Sequence, residues 1–188
     1  MLTKFSTFFH RWATGWNVLI FLALQILFNV VVFPYFQAYD STGNALPVLD
    51  LMFGFDTETV MHTLESYGDE GRAKMLFIGQ VVDSIYPIVY TLLNILAISF
   101  LFRKFLAPGS KLHLLNLLPI LTMVFDFIEN FLIGNLIKFY PSFVSEAVRN
   151  ASLFNQLKWI SAALCIFFIL CGLIGWMVKG RKKPVQPA

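Results

Sequence analysis

Three carboxylates, Asp83, Asp126 and Glu129, fall inside stretches that are otherwise apolar enough to cross a membrane. An ionisable group in hydrocarbon costs about 2.5–3.5 kcal/mol on insertion scales, so each must face a bundle interior, water or a partner. Their neighbours at helical spacing are polar as well. Asp83, Tyr86, Pro87 and Tyr90 fall at i, i+3, i+4 and i+7. Thr122, Asp126, Glu129 and Asn130 fall at i, i+4, i+7 and i+8, so each set forms one stripe along its own helix. Gln25 with Asn29, and Lys158 with Ser161, add two shorter stripes.

The chemistry open to such a set is limited. Carboxylates in a low-dielectric site serve as counter-charges to a cationic group, or work as an acid–base pair with one carboxyl protonated and one ionised. The candidate ligand- or ion-binding residues are therefore Asp83, Tyr86, Tyr90, Asp126, Glu129, Asn130, Asn29 and Lys158. Pro87 adds an acceptor, because its missing N–H frees the carbonyl four residues earlier, that of Asp83. The plainer account stands beside this one. Interhelical hydrogen bonds hold small bundles together at about 0.6–2 kcal/mol each, and Lys158 with Glu129 or Asp126 would then be a structural ion pair.

Other chemistries lack their residues. His10, His62 and His113 are scattered, so a zinc site is not expected, and no metal or cofactor is assigned. There is no Gly-rich phosphate loop, no H-E-x-x-H and no G-x-S-x-G. Cys165 and Cys171 both lie in the last apolar run, outside any C-x-x-C. The formal net charge of +3 is too small and dispersed for a nucleic-acid partner.

The elements that must position the polar stripes are membrane-spanning helices. Of 188 residues, 57% are hydrophobic and only 13% charged, which makes the lipid bilayer the expected surroundings. A span needs about 20 apolar residues, and four stretches qualify, at about 17–36, 75–102, 112–137 and 157–178. The first is too long for a signal peptide and ends in bulky residues, so it reads as a retained anchor. The fold class is thus an all-α membrane protein, a four-transmembrane-helix bundle forming one integral membrane domain.

Lys and Arg set its orientation. Lys4 and Arg11 precede the first span, Arg103, Lys104 and Lys111 join the second to the third, and Lys179, Arg181, Lys182 and Lys183 follow the fourth. Both termini are expected in the cytoplasm, with 179–188 as a cytoplasmic tail. The outer loop, 37–74, carries Asp40, Asp50, Asp56, Glu58, Glu65, Asp69 and Glu70. Within it Asp56 is placed to N-cap a short helix from Thr57 to about Tyr67, with Val60, Met61, Leu64 and Tyr67 on one face and Gly68 as its stop. That loop reads equally as a lid over an outward cavity or as a seal on helix ends. Ahead of the first span, Leu2, Phe5, Phe9 and Trp12 beside Lys4 and Arg11 fit an interfacial helix or an ordinary run-in.

Given this topology, polar groups from all four spans converge in the outer half of the bilayer. In bare architecture the chain is similar to the sterol-isomerase and sigma-2-receptor group of membrane proteins. That resemblance covers topology alone, and it implies intramembrane carboxylates that bind cationic or sterol ligands. Three function classes follow. One is a membrane-embedded site for a lipid-like or cationic small molecule, with or without acid–base chemistry. Another is a proton- or cation-coupled transporter or channel subunit, for which homo-oligomerisation would be needed to widen the conduit. The third is a structural or assembly subunit without a ligand. The membrane would be the cell membrane of a bacterium or an endomembrane of a eukaryote.

Overall fold

The computed structural model describes residues 2–37, 39 and 45–180. Asp40 and the basic residues Arg181, Lys182 and Lys183 lie outside this set. Among the described residues there is no β-strand, and five helices account for most of the chain. They are α1 (Leu2–Trp12), α2 (Gly15–Phe36), α3 (Thr57–Phe105), α4 (Lys111–Lys138) and α5 (Ser145–Gly180). The last four are each long and apolar enough to cross a membrane.

The long α3 is two pieces in one. Asp56 caps its start, accepting a hydrogen bond from the Thr59 backbone N–H at 2.8 Å, and that bond holds the exposed carboxyl below the ordinary carboxylate range. The chain then breaks at Gly68, whose φ of 61° places it where a side chain would be strained. Arg72 takes up the carbonyl of Leu64 at 2.8 Å, stacks 4.4 Å over the Tyr140 ring and pairs with Asp69. The arm before the break, 57–67, buries Val60, Leu64 and Tyr67 against Leu136, Val148 and Ala151 from the facing ends of α4 and α5. At 36 residues, α5 is about 54 Å long, well beyond the thickness of the hydrocarbon layer, and its first turns form this packing.

The helices α3, α4 and α5 pack mutually, while α2 leans on α3 and none of its residues from Gly15 to Leu27 is buried. Close approach of α5 to α3 needs two glycines. A Cβ on Gly172 would lie 2.8 Å from Leu101 Cβ, and one on Gly175 would lie 2.7 Å from the Phe105 ring. The opposite ends of the bundle differ in charge. At one end lie α1, the α3–α4 connection and the end of α5, where Lys179 Nζ donates to the Phe105 carbonyl at 3.4 Å. At the other lie the acidic arm and the segment 45–56.

Candidate functional site

A cavity of about 700 Å³ lies in the half of the bundle nearer the acidic arm. Every polar stripe contributes to it: Gln25 and Asn29 from α2, Asp83, Tyr86 and Tyr90 from α3, Thr122, Asp126 and Asn130 from α4, and Lys158 from α5. Phe33, Phe36, Trp159 and Ile166 supply apolar walls, and Leu49, Asp50 and Leu51 cover it from the acidic end.

The α2 and α3 side is an amide–phenol group. Gln25 Nε2 donates to the Tyr86 hydroxyl at 2.6 Å, and Asn29 Nδ2, on the more exposed flank, reaches the same oxygen at 3.2 Å. Between α3 and α4, the Tyr90 hydroxyl donates to Asp126 Oδ2 at 2.7 Å. Asn130 Nδ2 donates to Asp126 Oδ1 at 3.0 Å and to the backbone carbonyl of Asp83 at 3.4 Å. That carbonyl is the one Pro87 releases from the helical ladder, so a local defect in α3 becomes an acceptor for α4. A π-helical turn over Ile78–Val82 immediately precedes it.

Glu129 behaves differently from the other candidates. It is wholly buried, does not line the cavity, and sits behind Lys158, whose Nζ is 2.6 Å from Glu129 Oε2. The same ammonium pairs with Asp50 Oδ1 and donates to the Asp50 carbonyl at 3.1 Å. Carboxylate oxygens of Asp50, Asp126 and Glu129 lie within 4.8 Å of one another, a spacing suited to a hard cation. Lys158 places its own ammonium against two of the three.

Several residues here were not singled out by sequence reasoning. Asn155 is fully buried, donates to Glu129 Oε1 at 2.8 Å and to the Asp50 carbonyl at 3.2 Å, and accepts from the Gly54 N–H at 2.7 Å. Ser152 accepts from the Phe55 N–H at 2.9 Å, and Trp159 Nε1 donates to the Asp50 carbonyl at 3.2 Å. Together with Lys158 they clamp the segment 50–55 onto α5. The signal was present as Ser152, Asn155, Lys158 and Ser161 at three-residue steps, all buried. Only the latter pair fell within the expected fourth span.

The carboxyl groups left without an ion pair face the cavity. Lys158 is committed to Glu129 and Asp50. Asp126 has neutral partners only, and among the described residues the Asp83 carboxyl has neither a hydrogen bond nor an ion pair. No family model matches the chain, and no curated protein or solved structure is significantly similar to it.

Proposed function

We propose that the chain is a membrane-embedded binding protein for a small amphiphile with a cationic headgroup, held in this cavity with Asp83 and Asp126 as counter-charges. One observation carries the reading. Of the three carboxylates that line this mostly apolar cavity, Asp83 and Asp126 have no ion-pair partner, while among the described residues the ammonium beside them, Lys158, pairs with Asp50 and Glu129. A cationic ligand would supply the missing charge, its chain lying against Phe33, Phe36 and Ile166. Tyr86 and Tyr90, with rings 5.4 Å apart, offer π faces that favour a cation once desolvated. The volume suits a drug-sized molecule. Lys158, Glu129 and Asn155 build the wall behind the site, and Asn29 and Asn130 hold Tyr86 and Asp126 in place.

The test uses three probes with the same alkyl chain, ending in a tertiary amine, an alcohol and a carboxylate, added to the full chain in nanodiscs. The amine should raise the thermal midpoint well above the other two, and Asp83→Asn or Asp126→Asn should remove that difference without changing the unliganded midpoint much. Equal shifts from all three probes, or an amine effect unaltered in both variants, would count against the site.

A further inference from the structure

The helix α1 lies outside the cavity and is held in one orientation by a buried polar network. Ser6 Oγ is 2.8 Å from Asn116 Oδ1, Asn116 Nδ2 donates to Ser99 Oγ at 2.8 Å and to the Ser6 carbonyl at 3.2 Å, and Ser6 and Asn116 are both buried. His10 adds ring-nitrogen contacts to the carbonyls of Ser99 at 3.3 Å and His113 at 3.1 Å. Arg103 donates to the carbonyl of Ala13, closing the end of the helix. Ser6, Phe9 and His10 thus form a fixed docked side.

The two remaining sides of α1 are both exposed and chemically opposite. Phe5, Phe8 and Trp12 make one flank, 47%, 57% and 38% exposed. Thr3, Lys4, Thr7 and Arg11 make the other. The apolar flank points the way α2 leaves, because the Trp12 ring packs edge-on against Phe21, inside the first span, with centroids 5.9 Å apart. A helix with its aromatic flank level with a span and its basic flank turned away lies along a bilayer surface.

The charge at this end has one sign. None of the 11 Asp and Glu residues falls in 1–39, 84–125 or 147–188, whereas Lys4, Arg11, Arg103, Lys104 and Lys111 all lie in α1 or at the α3–α4 connection beside it. We infer that α1 is an anchor for anionic phospholipid: Phe5, Phe8 and Trp12 enter the acyl boundary of the leaflet at the basic end, and Lys4 and Arg11 engage phosphate headgroups. This follows from the docked geometry together with charge complementarity to a lipid surface. It is independent of the cavity and its ligand.

The experiment uses the full chain in nanodiscs, with Cys165 and Cys171 replaced by Ala. Spin labels at Phe8→Cys and Thr3→Cys report depth through their relative access to oxygen and to a water-soluble nickel chelate. The Phe8 position should be oxygen-accessible at acyl depth and the Thr3 position chelate-accessible. In parallel, the preference of the protein for spin-labelled phosphatidylglycerol over phosphatidylcholine should fall about fivefold for each of Lys4→Gln and Arg11→Gln. It should also collapse for the unaltered protein at high salt. Equal chelate access at both label positions would overturn the inference, as would a lipid preference that both charge removals leave intact.

Discussion

The Lys158 ammonium lies 2.6 Å from Glu129 Oε2 inside the bundle and at the same time pairs with Asp50 of the covering segment. This makes Lys158 the fastener between α4, α5 and the chain above them. Removing one partner of a buried pair leaves the other charge uncompensated, at about 3–5 kcal/mol, whereas removing both is far milder. Lys158→Met alone should therefore unfold at much lower denaturant, and Glu129→Leu with Lys158→Met should recover the part of the loss that the buried Glu129 causes, with Asp50 still unpaired. Chemical unfolding in micelles would measure both. A double variant as unstable as the sum of the singles would remove the fastener from the account.

Asn155 tests the covering segment separately from the charge. Its side chain bonds Gly54, Asp50 and Glu129 at once, so Asn155→Ala strips the Gly54 N–H of its partner on α5 and leaves the Asp50 carbonyl to Lys158 and Trp159. Hydrogen exchange at the Gly54 amide should speed up markedly while amides in the mutual packing of α3 and α5, around Ile98, stay protected. Unchanged exchange at Gly54 would mean that Ser152 and Trp159 hold the segment without it.

The spans and the stripes were legible in the sequence because each depends on one helix at a time. Hydropathy over about 20 residues finds a span, and a polar residue at i, i+3 or i+4 finds its face. Asp83, Tyr86, Tyr90, Asp126 and Asn130 are brought to one cavity on that basis. What depends on a partner element could not be found in this way. Asp50 looked like one of many loop acids, and nothing local says that Lys158 will choose it. Glu129 shares a stripe with Asp126 but is rotated behind Lys158, a distinction of less than one helical turn that only the packing of α4 on α5 decides. Asn155 was missed for a simpler reason. The apolar window begins after it, although the helix that carries it starts at Ser145.

Gly172 fixes how closely α5 approaches α3. An added Cβ would meet Leu101 Cβ, an atom attached directly to the backbone of α3, so relief requires the helices to move apart. Gly172→Ala should cost about 1–3 kcal/mol, the usual range for overpacking. Gly79→Ala is the control, since nothing lies within 4 Å of its Cβ position and its φ is ordinary. That variant should be neutral or slightly stabilising. Thermal midpoints of the two, measured side by side in one detergent, should separate by several degrees, and equal midpoints would show that α5 has room to spare at Gly172.

His10 gives the docking of α1 a pH dependence whose sign can be worked out. Burial lowers its affinity for a proton below the ordinary 6.5, and the neighbouring His113 and Arg103 push the same way, against the two carbonyls of Ser99 and His113. The undocked helix exposes His10 to water and restores its ordinary value. Above pH 6.5 neither form binds the proton and docking is at full strength. Below it the released His10 takes up a proton that the docked one resists, so docking weakens as the pH falls towards 5. Protection of the Phe9 and Ala13 amides relative to their intrinsic exchange rates should fall over that interval. His10→Gln keeps a side-chain donor for one of the carbonyls but cannot titrate, and its exchange should follow the intrinsic trend alone. Tighter docking at acid pH, or an unchanged profile in His10→Gln, would assign the effect to another group.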